Sequence, residues 1–246
     1  MYQPPRNRAS LRICSVFSFF LLTRVGGCAT IKAKGVLIMK VVLLGDSIRQ
    51  QYAGAVTELL GGDFEVWAPD DNCRFAKYTL RGLFDWASGM EGADIVHWNN
   101  GLWDLCNLFG DGTFTSEGEY TENILRIAEI LQKRHRAVIF ATTTPVRAAN
   151  IYNKNVDADR FNSLVVPLLK ERGVIINDLN ALLSDDPERY ICNDTIHLSE
   201  EAIAICAEQV ANIIKDTADT ISAERDGREL PTATAVDGMG APILFE

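Results

Sequence analysis

Two short stretches carry residues whose types and spacing suit them to chemistry. In VVLLGDSIRQ, residues 41–50, four apolar residues stop abruptly at Gly45-Asp46-Ser47; in CNDTIHLSEEA, residues 192–202, Asp194 stands three residues before His197. A serine hydroxyl is a poor nucleophile at neutral pH unless a base takes its proton, and histidine is the usual base. The chain offers three histidines. His135, in the basic run KRHR, reads as a solvated surface residue, and His97, inside an apolar run, as a packed and hydrogen-bonded core residue. His197 falls in a loop just before a helix with Ser199 as its N-cap. An Asp-x-x-His spacing there lets the carboxylate curl back onto Nδ1 and leave Nε2 facing a serine.

The elements that must bring these residues together follow from hydrophobic periodicity. Apolar runs at 40–45, 63–69, 93–99, 137–145 and 174–179 read as strands. Helical patterns at 48–60, 79–90, 117–134, 157–172 and 199–215 alternate with them. Strict alternation predicts an α/β fold: three layers, with a five-stranded parallel sheet covered on both faces through right-handed crossovers. In such a sheet the ligand site lies beyond the carboxyl ends of the strands, where Gly45-Asp46-Ser47 is delivered.

Taken together, Gly45-Asp46-Ser47 near the start and Asp194-x-x-His197 near the end resemble the SGNH, or GDSL-type, hydrolases over about residues 39–215. The Gly-x-Ser-x-Gly elbow of the other large serine-esterase fold is absent from the chain. The resemblance implies a flavodoxin-like SGNH fold, with Ser47 as nucleophile, His197 as general base and acid, and Asp194 as its orienter. It also implies ester hydrolysis without a cofactor or metal.

The middle blocks of that family fit less closely. Many of its members end the third strand with Gly-x-Asn-Asp, but WNNGLWDL, residues 98–105, has Trp103 where the asparagine would stand. A subgroup with Asn-x-Gly-Leu-(His or Trp)-Asp carries an asparagine four residues earlier, and positions 99, 101 and 103 of a strand share one face. Asn99 is therefore the expected oxyanion donor, with Asn100 second. The block after the second strand usually supplies a glycine N–H; PDDNCRFAKYT, residues 69–79, has no glycine, leaving the backbone N–H of Cys73 or Arg74, with Asn72 holding the turn. Arg49, Arg74 and Arg147 lie near strand ends and, with Asn72, are candidates for binding the substrate.

Composition bounds the remainder. The 246 residues have a formal charge of −9, but residues 1–38 hold six Lys/Arg and no acid, which leaves the body at −15. Such a body repels nucleic acid and anionic membranes. The six cysteines form no C-x-x-C pair and read as buried free thiols. No apolar run reaches the ~20 residues that span a bilayer. The segment 1–38 reads as a mis-assigned start ahead of Met39, which implies a cytoplasmic protein, or as a signal or lipid-anchor segment ending near Cys28, which implies export. Residues 39–216 form the expected domain and 217–246 a mobile tail. With no lid-like apolar insertion in view, the substrate expected is a small acyl ester, acetyl above all, on a carbohydrate. An O-acyltransferase with the same triad and a non-catalytic carbohydrate-binding relative are the rival readings.

Overall fold

The computed structural model describes residues 38–224. The segment expected to precede Met39 lies, apart from Ile38, outside the described residues, as do Cys14 and Cys28.

Five parallel strands form one sheet: β1 (Met39–Leu44), β2 (Phe64–Trp67), β3 (Ile95–Asn99), β4 (Ala137–Ala141) and β5 (Ile175–Asn177). Their order is β2-β1-β3-β4-β5, the flavodoxin-like arrangement that the family resemblance implies. Every residue of β3 is buried, as a strand covered on both faces must be. On one face lie α1 (Ser47–Leu60), α6 (Leu179–Leu183) and α8 (Glu200–Glu224), packed over Val41, Leu43, Ile95 and Ile139. The other face carries α2 (Ala76–Asp85), α4 (Glu117–Arg134) and α5 (Asn155–Glu171), packed over Val42, Val96, Trp98 and Phe140. Two single-turn helices, α3 (Ala87–Met90) and α7 (Pro187–Tyr190), complete the set.

Several elements differ from the sequence expectation for identifiable reasons. The helix expected over 79–90 starts at Ala76 and breaks after Asp85, where Trp86 folds back over Gly82; a Cβ on Gly82 would stand 2.3 Å from that ring. β4 stops at Ala141 rather than 145 because side chains take over its backbone groups. Thr143 N–H donates to Asn162 Oδ1 at 2.9 Å and Val146 N–H to Asn155 Oδ1 at 2.8 Å. The last helix runs through the expected boundary at 216/217 to Glu224, with Thr217 and Ala218 buried. Residues 225–246 lie outside the described residues.

His97 is the hydrogen-bonded core residue its strand position suggests. Asn177 Nδ2 donates to its Nε2 at 3.0 Å, and Gln209 Nε2 fixes that amide by donating to Asn177 Oδ1 at 2.7 Å. His135 is a correction: it is buried, not solvated, with Nδ1 2.8 Å from Ala93 O. The run KRHR ends α4 and turns its histidine inward, which charge counting along the chain does not reveal.

Candidate active site

β1 ends at Leu44 and the chain turns through Gly45 into α1. Gly45 has φ +153, and a Cβ there would meet Asn99 Oδ1 at 1.9 Å, so both conformation and space require glycine. Asp46 is the N-cap, its Oδ1 accepting from Ile48 N–H at 3.0 Å and from Asn99 Nδ2 at 2.9 Å. Burial pushes its carboxyl up, against those two hydrogen bonds. Ser47 is thus the first residue of α1, partly exposed, and its backbone N–H makes no hydrogen bond among the described residues. A free N–H at a helix N-terminus is a donor for a developing oxyanion.

The last block forms a folded-back loop. Ile191 and Leu198 pair as an antiparallel bridge, and Ser199 N–H donates to Tyr190 O at 2.8 Å. Between them Asp194 curls back as its spacing suggests. Its Oδ1 accepts from Ile196 N–H at 3.0 Å and His197 N–H at 2.9 Å, and its Oδ2 accepts from His197 Nδ1–H at 2.8 Å. Burial alone would raise the Asp194 carboxyl; hydrogen bonds from the His197 and Ile196 N–H groups and the imidazole hold it below the usual range. With Nδ1 donating to the carboxylate, Nε2 is the acceptor, and Ser47 Oγ lies 2.9 Å from it. Ser47 and His197, 150 residues apart in sequence, form one unbroken relay with Asp194.

Three side chains that the sequence reading did not place in this role hold the relay. Gln51, one turn after Ser47 on α1, donates Nε2 to Leu198 O at 3.2 Å and accepts Leu198 N–H at 2.9 Å. From the loop after β4, Arg147 donates Nε to Ile191 O at 2.7 Å, Nη2 to Glu188 O at 2.7 Å and Nη1 to Asn193 Oδ1 at 3.0 Å. Its own N–H donates to Thr195 O at 3.1 Å. Asn150 Nδ2 donates to Thr195 Oγ1 at 3.1 Å. Thr195, between Asp194 and His197, sits at φ +74, a conformation unfavourable to a β-branched residue that these contacts sustain. An i,i+4 polar partner of Ser47 was a visible signal for Gln51; nothing local marks the other two.

Several expectations are corrected. Arg147 is not free for substrate, since its guanidinium is spent on the triad loop. Arg49 is also structural: it is buried, and its Nη2 donates to Asp71 O at 2.8 Å and Gly45 O at 3.3 Å. The expected oxyanion N–H groups after β2 are both occupied, Cys73 N–H by Gly45 O at 3.0 Å and Arg74 N–H by Asn72 Oδ1 at 2.8 Å. Asn72 therefore builds a turn that carries Arg74 at φ +48, and its Nδ2 lies 3.4 Å from Gln50 Oε1. Arg74 keeps an exposed guanidinium, 4.6 Å above the Tyr78 ring. The thiol of Cys73 accepts from Gly45 N–H at 3.1 Å, and burial pushes it up to about 11, which makes it no rival nucleophile.

The two asparagines of the third block divide their tasks. Asn100 is fully buried and spends its amide on Arg74 O and Thr79 Oγ1, both at 2.9 Å, so the second choice for the oxyanion is a structural brace. Asn99 gives one Nδ2 hydrogen to Asp46 and keeps the other. Asp104, the last residue of the block, reaches back to Ala76 N–H at 2.9 Å and caps α2, whose own N-cap, Phe75, offers no side-chain acceptor. Among the described residues no group of three His, Cys, Asp or Glu could hold a metal, and no helix is long and apolar enough to cross a membrane.

A five-stranded 2-1-3-4-5 sheet that delivers a serine on the first turn and an Asp-x-x-His loop after the last strand is the SGNH, or GDSL-type, hydrolase fold. Solved structures carry the same architecture at low sequence identity. The acetyl xylan esterase AlAXEase superposes with a TM-score of 0.62 at 18% identity, covering 72% of this chain and all of its own. A member of the lipolytic G-D-S-L family from Veillonella parvula gives 0.59 at 12%, covering 72% of this chain and 98% of that one. Est24, a carbohydrate acetylesterase from Sinorhizobium meliloti, gives 0.56 at 14%, covering 73% and 99%. No family profile and no curated protein matches the sequence.

Proposed function

We propose that this chain is a serine ester hydrolase working through an acyl-enzyme. The observation that carries the reading is the relay from Ser47 Oγ through His197 to Asp194, with steps of 2.9 and 2.8 Å, at the N-terminus of α1. In the first half-reaction Ser47 Oγ attacks the ester carbonyl while Nε2 takes its proton. The Ser47 N–H and the spare Asn99 hydrogen stabilise the oxyanion, each such donor lowering the barrier by about 2.7–4 kcal/mol. His197 then protonates the departing alcohol. Water, deprotonated by the same Nε2, releases the acid.

The finer reading is a small acyl group, acetyl, on a carbohydrate alcohol. Its support is that AlAXEase is called an acetyl xylan esterase and Est24 a carbohydrate acetylesterase. The test is a panel of nitrophenyl esters of rising acyl length beside acetylated sugars, with Ser47→Ala as the blank. Turnover that falls beyond short acyl groups and disappears in Ser47→Ala is expected; turnover surviving in Ser47→Ala would sink the reading. Product partitioning between water and an added sugar acceptor separates hydrolase from acyltransferase.

A further inference from the structure

The loops that follow β3 and β4, residues 100–116 and 142–154, leave large apolar side chains in water. Trp103, Leu108, Phe109 and Phe114 stand exposed on the first, and Ile151 and Tyr152 on the second. Phe109 is 80% and Ile151 72% exposed, so neither serves the core. Single apolar residues on a surface are ordinary, but these occupy two loops fastened to each other. Asn107 N–H donates to Tyr152 O at 2.8 Å, and Asn153 Nδ2 to Leu102 O at 2.7 Å. Phe114 is further held by Phe75, with ring centroids 5.4 Å apart. An irregular stretch as long as 100–116 inside a compact domain usually has a binding task.

Both loops root in the candidate site. Asn99, one residue before the first loop, bonds Asp46 beside the nucleophile. Asn150 holds Thr195 through its Nδ2 and Tyr152 N–H through its Oδ1, at 3.1 and 3.0 Å. Because His197 gives its proton to the leaving oxygen, the alcohol part of an ester departs on the His197 side, where the 150–152 stretch stands. We propose that this ledge seats an apolar group, aryl or branched alkyl, carried on the alcohol part of the substrate. The inference rests on the ester hydrolase reading and refines it: the favoured alcohol is not a bare polyol, and for a glycoside the apolar group is the aglycone. A polyol hydroxylated at every carbon gains little from Leu108, Phe109 and Ile151, whereas a flat or branched hydrocarbon covers them and leaves water.

Methyl, benzyl and 2-naphthylmethyl acetates share an acyl group and have alcohols of similar acidity, so they differ mainly in apolar area. KM is expected to fall by about tenfold from methyl to 2-naphthylmethyl acetate with kcat nearly constant. The double variant Phe109→Ser/Ile151→Ser, altered only where side chains already face water, is expected to lose that fall. A KM that stays flat along the series, or a fall that survives in the double variant, overturns the ledge. Saturable binding of 2-naphthylmethyl acetate to Ser47→Ala, measured by equilibrium dialysis, reads the ledge without turnover and is expected to weaken about tenfold when both serines are added. If no acetate is hydrolysed and a fluorophosphonate leaves Ser47 unlabelled, the hydrolase reading fails, and the dialysis result alone decides the ledge. A concentration-dependent dimer that the double variant abolishes also overturns it, because a second copy then covers the face.

Discussion

Gln51 and Leu198 exchange two hydrogen bonds, at 3.2 and 2.9 Å, so the helix that presents Ser47 also grips the residue next to His197. The distance between Ser47 and His197 is thereby set by one rigid element rather than by loop packing. Removing the amide in Gln51→Ala should lower kcat by about 10²-fold with KM little changed, the scale expected when a catalytic group drifts by about an ångström. Gln51→Glu keeps the acceptor and should fall between the two. Steady-state kinetics on short acetates check this; an unaltered kcat in Gln51→Ala would mean that the loop holds itself.

Arg147 works on the same loop from the other side. Arg147→Ala leaves Ile191 O and Glu188 O without their donor and frees Thr195 to relax from its left-handed conformation. Activity is expected to fall by about tenfold to 10²-fold, and added guanidinium ion to restore part of it. Arg147→Lys, which cannot span three acceptors, should resemble the alanine variant. A loss in KM alone, with kcat intact, would instead mark Arg147 as a substrate contact.

Asn99→Ala separates the oxyanion from the scaffold. It should reduce kcat by about 10²- to 10³-fold while Ser47 still reacts, more slowly, with a fluorophosphonate. Because Asn99 also bonds buried Asp46, the variant should lose about 1–3 kcal/mol of stability in urea unfolding. Full activity in Asn99→Ala would leave the Ser47 N–H as the oxyanion donor and remove the side chain from the mechanism.

Acid stability should depend on buried groups outside the triad itself. Burial drives His97 down to about 3 and His135 to about 4, so each refuses a proton that the unfolded chain binds below about 6.5. Their contribution is complete above pH 6.5 and drains as pH falls towards their folded values. Asp104, pushed by burial up to about 7, has the opposite sign: its folded form keeps a proton that the unfolded chain sheds above pH 3.8. Each histidine adds one proton, about 1.4 kcal/mol per pH unit, to the slope between pH 6 and 4.5, while the raised carboxyls of Asp104 and Asp46 oppose it. Urea unfolding at those two values should show the slope of His97→Gln lower than that of the parent by about one proton. An unchanged slope in that variant would contradict the assignment.

The strands, their parallel direction and the pairing of Ser47 with Asp194-x-x-His197 were legible because each is written locally, as an apolar run, an alternation or a fixed spacing. The supports were not. Arg147 and Arg49 look alike in sequence, arginines near strand ends, and only the carbonyl groups they meet in the fold separate a brace from a binding group. Asn99 and Asn100 are adjacent and identical in type, and the turn from the end of β3 into the following loop gives them different tasks. The ledge escaped because NLFGDGTF, residues 107–114, is short and broken by glycines, unlike the periodic insertion that marks a lid. The C-terminal boundary was misplaced since the apolar rhythm weakens after Lys215, while α8 continues to bury Thr217 and Ala218 against the first face.

The hold of Gln51 and Arg147 on the 188–198 loop also bears on how such a protein can be recombined. The C-terminal portion that carries orienter and base cannot be exchanged as a cassette with that of a distant relative. A chimera joined after α5 would inherit a histidine whose two clamps, Gln51 and Arg147, belong to the other parent, and it would fold around a histidine aimed at no serine. Moving the cassette together with matched residues at positions 51 and 147 should restore the match between the two parents.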